Sequence, residues 1–181
     1  MKVCVVGNPA NTNALIASTY APSIPKKNFT AMTRLDQTRA LSLIADKTNA
    51  KIEEIENIII WGNHSATQYP DTHFATIKGK NLRQLVNNDK YLDSEFISRV
   101  AKRGAEIIDV MKKSSAASAA AACCEHVHDW WYGNQQGGWV SMGVIPSEAH
   151  YGVDKDLCYS YPCNIVDGEW KIVDGLKLNE F

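Results

Sequence analysis

The sequence predicts a mixed architecture, α/β at the front and α+β behind it, and three observations predict it. Two short apolar runs, Lys2 to Val6 and Asn57 to Trp61, each stop at a glycine followed by asparagine, in Gly7-Asn8-Pro9 and Gly62-Asn63-His64. Strands of α/β units carry ligand-binding groups at such ends. Two long segments with helical character fill the middle of the chain, and the last part alternates strand-like runs with turns, as in an antiparallel meander.

Taken in order, Lys2 to Val6 reads as a buried strand with no sheet partner before it. Asn11-Thr12-Asn13 offers an N-cap for a helix to about Tyr20, which Pro22 and Pro25 close. Leu35, Ala40, Leu43 and Ile44 form an approximate stripe on a helix from about Thr33 to Lys47. In Asn57 to Trp61 the isoleucines Ile58, Ile59 and Ile60 are consecutive, so this strand is buried on both faces. A polar loop, Gly62 to Asp71, follows it, and His73 to Ile77 reads as a further strand. From Ser94 to Lys112, Phe96, Ile97, Val100, Gly104, Ile107, Ile108 and Met111 recur at helical spacing. The alanine-rich stretch Ser114 to Trp131 is a second long helix, ended by Gly133. Gly138–Val144, Leu157–Val166 and Glu169–Val173 are strands, with Asp167-Gly168 as the hairpin turn between the last two.

The 181 residues fit one domain, with 45% apolar and 22% charged residues and a formal charge of −1. That balance argues against a protein that neutralises nucleic-acid phosphates and against a polybasic membrane surface. Cys4, Cys123, Cys124, Cys158 and Cys163 are odd in number and lack paired spacing, so they do not form a disulfide framework. No apolar run has the length of a signal peptide core or of the roughly 20 residues a spanning helix needs. The chain reads as cytoplasmic and reduced.

Chemistry concentrates in two places. Asp36 and Arg39 are three apart and share a helix face, and His64 sits at the mouth of a buried strand. An aspartate that orients a histidine makes a proton acceptor tuned near neutrality, and an arginine beside it grips a carboxylate through two parallel hydrogen bonds. Cys123, Cys124, His126 and His128 lack a second ligand pair at metal-site spacing, so they read as core thiols and surface histidines. Trp130-Trp131-Tyr132 reads as a packing wedge or part of a subunit contact, and Ala116 to Ala122 as a close helix contact. His73 and His150 have no partner in the sequence and read as structural or solvated.

The segments Val5 to Asn13, Leu35 to Ala40 and Ile60 to Ser65 resemble, in order and separation, the malate dehydrogenase family, above all its cytosolic-type NAD-dependent members. Ala21 to Phe29, Ser114 to Ala120, Trp139 to Val144, Tyr151 to Val153 and Val173 to Leu176 resemble it too, so the likeness covers essentially the whole chain. The resemblance implies a fold: the last part of a Rossmann-type cofactor domain in residues 1–27, then the α+β substrate domain of lactate/malate dehydrogenases in 28–181. It implies His64 as proton acceptor, Asp36 as its partner, and Arg39 and Asn8 as substrate-binding residues. Val6, Gly7 and Asn8 would line the nicotinamide of NAD, with Ser114 or its neighbour Ser115 close by, and no metal is implied. Malate and oxaloacetate are the implied substrates, and a homodimer the implied state of the intact enzyme.

The departures are as specific. No glycine-rich loop opens a helix after a strand, so the pyrophosphate site is absent, and the ribose-binding carboxylate and mobile arginine loop are absent with it. Phe181 falls before the last helix that the resemblance implies. Two functions therefore stand, a malate dehydrogenase polypeptide or a catalytically silent piece that keeps the substrate-domain fold and its subunit contacts; a third, a dicarboxylate-binding module using Arg39 alone, is weaker because one arginine is a poor clamp.

Overall fold

A computed structural model describes residues 1–114, 116–134 and 138–178. The chain begins with β1 (Val3–Val5), α1 (Ala10–Tyr20), β2 (Phe29–Ala31) and α2 (Arg34–Thr48). Short strands follow: β3 (Ile55–Glu56), β4 (Ile59–Trp61), β5 (Tyr69–Asp71), β6 (Thr76–Ile77) and β7 (Lys80–Asn81). After the short helix α3 (Leu82–Val86) come α4 (Phe96–Met111) and α5 (Ala116–Tyr132), then β8 (Val140–Val144), β9 (Tyr159–Val166) and β10 (Glu169–Ile172).

The main sheet has the order β1-β2-β8-β9-β10. Its first pair is parallel, Val3 opposite Phe29, and every later pair is antiparallel. One sheet thus carries both characters that the sequence predicts, parallel at the front and a meander behind. The partner of β1 is β2, a three-residue strand too short to show a period in the sequence. The terminal hairpin turns at Asp167 and Gly168, both with positive φ (54° and 73°), as a two-residue turn matched to strand twist requires.

Strand β4 lies between two cores. Ile58 and Ile60 pack with Ala40, Ile44, Leu92, Phe96 and Val100, which come largely from α2 and α4. Ile59 and Trp61 pack with Trp130, Met142, Tyr161 and Cys163 on the other side. Alternate side chains of a strand point to opposite faces, so the unbroken isoleucine run serves both clusters. Gln37 ties α2 to this frame: its Nε2 donates to the carbonyls of Ile58 (3.0 Å) and Trp139 (3.1 Å), and its Oε1 accepts from the Ser141 amide (2.8 Å). The Ser141 hydroxyl in turn accepts from the Ile60 amide at 2.9 Å.

Several expectations need correction. Helix α1 starts at Ala10, because the Pro9 carbonyl accepts the Asn13 amide (2.9 Å); Asn11 lies inside the helix and is not its cap. Tyr69–Asp71, expected in a loop, pairs with β4, whereas only Thr76–Ile77 of the expected 73–77 strand is extended. Tyr91–Glu95 forms a π-helical turn that leads into α4. Strand β1 is half-buried, since it lies at the margin of the sheet. The alanine run of α5 is mostly exposed, with Ala122 alone fully buried among 116–122 of the described residues. Of the aromatic trio Trp130 is buried, while Trp131 and Tyr132 are exposed. Among the described residues no helix is long and apolar enough to cross a membrane.

Candidate active site

Asp36 lies in the first turn of α2 and is fully buried. The free amides and the dipole of a helix N-terminus favour a carboxylate there. Its two oxygens are divided between two partners: Oδ1 accepts from Arg39 Nη1 at 3.2 Å, and Oδ2 is bonded to His64 Nδ1. One turn of helix therefore presents an arginine and, through the same carboxylate, holds a histidine from a different element.

His64 reaches that position because β4 ends in a turn anchored on several sides. Gly62 has φ 95°, which a side chain at that position would strain. It exchanges two backbone hydrogen bonds with Ser160 at the start of β9, Gly62 N–H to Ser160 O at 3.1 Å and the reverse at 2.8 Å. The Ser160 hydroxyl meets Thr33 Oγ1 at 2.7 Å, one residue before α2. Asn11 of α1 accepts the His64 amide on Oδ1 at 2.9 Å.

The hydrogen bond to Asp36 raises the pKa of His64 above the ordinary 6.5; burial and the Arg39 charge oppose it, and the negative charge of Asp36 adds to it. With Nδ1–H directed at the carboxylate, the neutral ring has its lone pair at Nε2, which takes no protein partner among the described residues. Arg39 is mostly buried, and its guanidinium lies over Gly104 of α4, where an added Cβ would stand 3.4 Å from Nη2. A methyl group fits there, whereas a longer side chain would take the space of the guanidinium.

The structure thus brings together Asp36, Arg39 and His64. Val6, Gly7 and Asn8 lie exposed at the carboxyl end of β1, the place where α/β strands present backbone groups to ligands. The Gly7 carbonyl is held by Asn13 Nδ2 at 2.9 Å. Ser114 is exposed between α4 and α5, Ser115 lies outside the described residues, and no hydrogen bond among the described residues joins Asn8 or Ser114 to the Asp36 group. The exposed end of β1 suits the nicotinamide end of a dinucleotide, but among the described residues no glycine-rich helix N-terminus offers a seat for its phosphates. Sequence reasoning missed Asn11, Ser160 and the Gln37–Ser141 network, because each acts through a partner distant in the chain.

Elsewhere, His126 is buried and not at the surface, whereas Cys124 and His128 are exposed. Among the described residues no three potential ligands converge on a metal position. His73 and His150 each have a carboxylate partner at 2.8 Å, Asp71 and Asp174, which their sequence surroundings did not suggest.

Residues 33–181 match the family described as lactate/malate dehydrogenase, alpha/beta C-terminal domain. The chain belongs to the lactate/malate dehydrogenase family. It is 53% identical to the cytoplasmic malate dehydrogenase of Medicago sativa and 52% to that of Zea mays, each over 99% of this chain and 55% of the relative. Among lactate/malate dehydrogenases of known structure, it is similar to malate dehydrogenase from Naegleria fowleri at TM-score 0.92 and 47% identity, covering 98% of this chain and 54% of that one. It is also similar to Trichomonas vaginalis lactate dehydrogenase in complex with NADH and oxamate, at TM-score 0.93 and 32% identity, covering 99% and 56%. The chain spans about half the length of the curated relatives it matches.

Proposed function

We propose that this chain carries the proton-transfer half of an NAD-dependent malate dehydrogenase site, interconverting malate and oxaloacetate. The observation that carries this reading is the single buried carboxylate of Asp36, shared between His64 Nδ1 and Arg39 Nη1. His64 Nε2 takes the hydroxyl proton of malate, and the resulting imidazolium is stabilised by Asp36. Arg39 grips the carboxylate next to the reacting carbon, and Asn8 binds the substrate oxygen edge. Val6, Gly7, Asn8 and Ser114 hold the nicotinamide end of NAD, which when bound supplies the acceptor for the hydride. The proton on His64 then leaves to solvent. Residues 1–27 are the end of the cofactor domain and 28–181 the substrate domain, in a cytoplasmic enzyme that is a homodimer when intact.

A second reading, a catalytically silent substrate domain, is favoured by one observation. The 181 residues contain no glycine-rich phosphate loop of the kind that seats a dinucleotide's phosphates. Oxaloacetate-dependent oxidation of NADH by the purified 181-residue chain separates the two. Activity that disappears in His64→Asn supports the dehydrogenase reading for the chain by itself. A folded chain with no activity above that control leaves the silent reading.

A further inference from the structure

Asn11 is 4% exposed, although it lies in the first turn of a helix whose neighbouring residue Thr12 is open to solvent. Every polar atom of its side chain is used. Oδ1 accepts the His64 amide at 2.9 Å, and Nδ2 donates to the carbonyls of Cys158 (3.0 Å) and Gly62 (3.3 Å). None of these partners is within forty residues of Asn11 in the chain. The side chain therefore joins α1, the turn after β4 and the segment that enters β9. It bonds both ends of the tripeptide Gly62-Asn63-His64, an acceptor for one end and a donor for the other, as an amide side chain can.

We propose that Asn11 is a positioning residue for proton transfer: it fixes the backbone of the Gly62–His64 turn so that the imidazole stays on Asp36. This rests on the reading of His64 as the proton acceptor. Asn11 touches neither substrate nor reacting atoms and acts only through His64. Removing its side chain frees the His64 amide and the Cys158 carbonyl and leaves the Gly62 carbonyl only its Ser160 partner, so the turn relaxes and the bond between Nδ1 and Asp36 is made for a smaller part of the time. Because that bond is the main reason the His64 pKa is raised, the titration of His64 reports how well it is positioned.

The test uses the 181-residue chain and needs no catalytic turnover, so a silent chain does not obscure it. The His64 imidazole is titrated by NMR in the wild type, Asn11→Ala and Ala14→Gly. Asn11→Ala is expected to lose at least half of the elevation of His64 above its ordinary pKa. Ala14→Gly weakens the same helix at a buried position without touching the turn, and is expected to lower stability while the His64 titration stays in place. An unchanged titration in Asn11→Ala, or an equal fall in Ala14→Gly, overturns the proposal. Should Asn11→Ala not fold, hydrogen exchange of the wild-type His64 amide decides: protection supports the clamp, and exchange at the rate of a free amide refutes it. An enzyme in which His64→Asn stays active would sink the proton-acceptor reading instead, leaving the His64 titration result intact.

Discussion

His126 should make this chain unusually sensitive to mild acid. Its ring is on the buried face of α5, with Nε2 2.9 Å from Thr30 Oγ1 and its plane nearly perpendicular to the Trp130 ring. Nδ1 is buried with no hydrogen-bond partner. A buried N–H without a partner is costlier than a buried lone pair, so the ring is neutral with its proton on Nε2, donating to Thr30. Burial, helped by the Arg34 charge, lowers its pKa to about 3. The unfolded chain has an ordinary histidine near 6.5 and so binds the extra proton first as pH falls. Stability is therefore lost from about pH 6.5 downward, at up to about 1.4 kcal/mol per pH unit, and amounts to about 2 kcal/mol at pH 5. Gln in place of His126 can keep an amide donor near Thr30 without a group that charges. Urea unfolding at pH 7.5 and pH 5 should show the wild type losing about 2 kcal/mol more than His126→Gln between the two conditions. Equal losses in the two proteins would refute this reasoning, because every other titrating group is common to both.

Three further outcomes follow from the packing and charge described above. Gly104→Ala should be accepted and stabilise α4 by up to about 1 kcal/mol in thermal unfolding, since its Cβ meets the Arg39 guanidinium at 3.4 Å, whereas Gly104→Leu should displace that guanidinium from Asp36 and cost about 1–3 kcal/mol in the same assay. Gly143→Ala should cost about 1–3 kcal/mol in urea unfolding, because the new Cβ would stand 2.8 Å from the Ala31 Cβ and 3.0 Å from its carbonyl across the β2–β8 pair. His64 has a raised folded pKa, so its contribution is complete below pH 6.5 and is lost as pH rises through the folded value; the stability gap between wild type and His64→Asn should narrow on that rise, and a gap that widens would contradict the sign.

The fold was legible where a residue pattern repeats along one element. The Ile58–Ile60 run announced a strand buried on both faces, and the helical spacing of Phe96, Val100 and their neighbours announced α4. Strands β2 and β3, unlike β1 and β4, stand out by no apolar run and emerge only through their partners. In the site, Asp36 and Arg39 were legible because their bond spans three residues of one helix. Asn11 was not: its local surroundings match an N-cap, and what decides its role is a turn 53 residues away. His126 was misread for the same reason, since its burial depends on β2, which the sequence pattern did not reveal.

The pH dependence of malate oxidation tests the central claim most directly, measured in a fusion of the amino-terminal part of the Medicago sativa relative to this chain. The account predicts that kcat/KM falls on the acid side as His64 becomes protonated. It also predicts that Asp36→Asn moves this limb to lower pH and slows the reaction by about 100-fold or more at pH 8. An acid limb that stays in place when Asp36 is replaced, or a rate that survives His64→Asn, would contradict it.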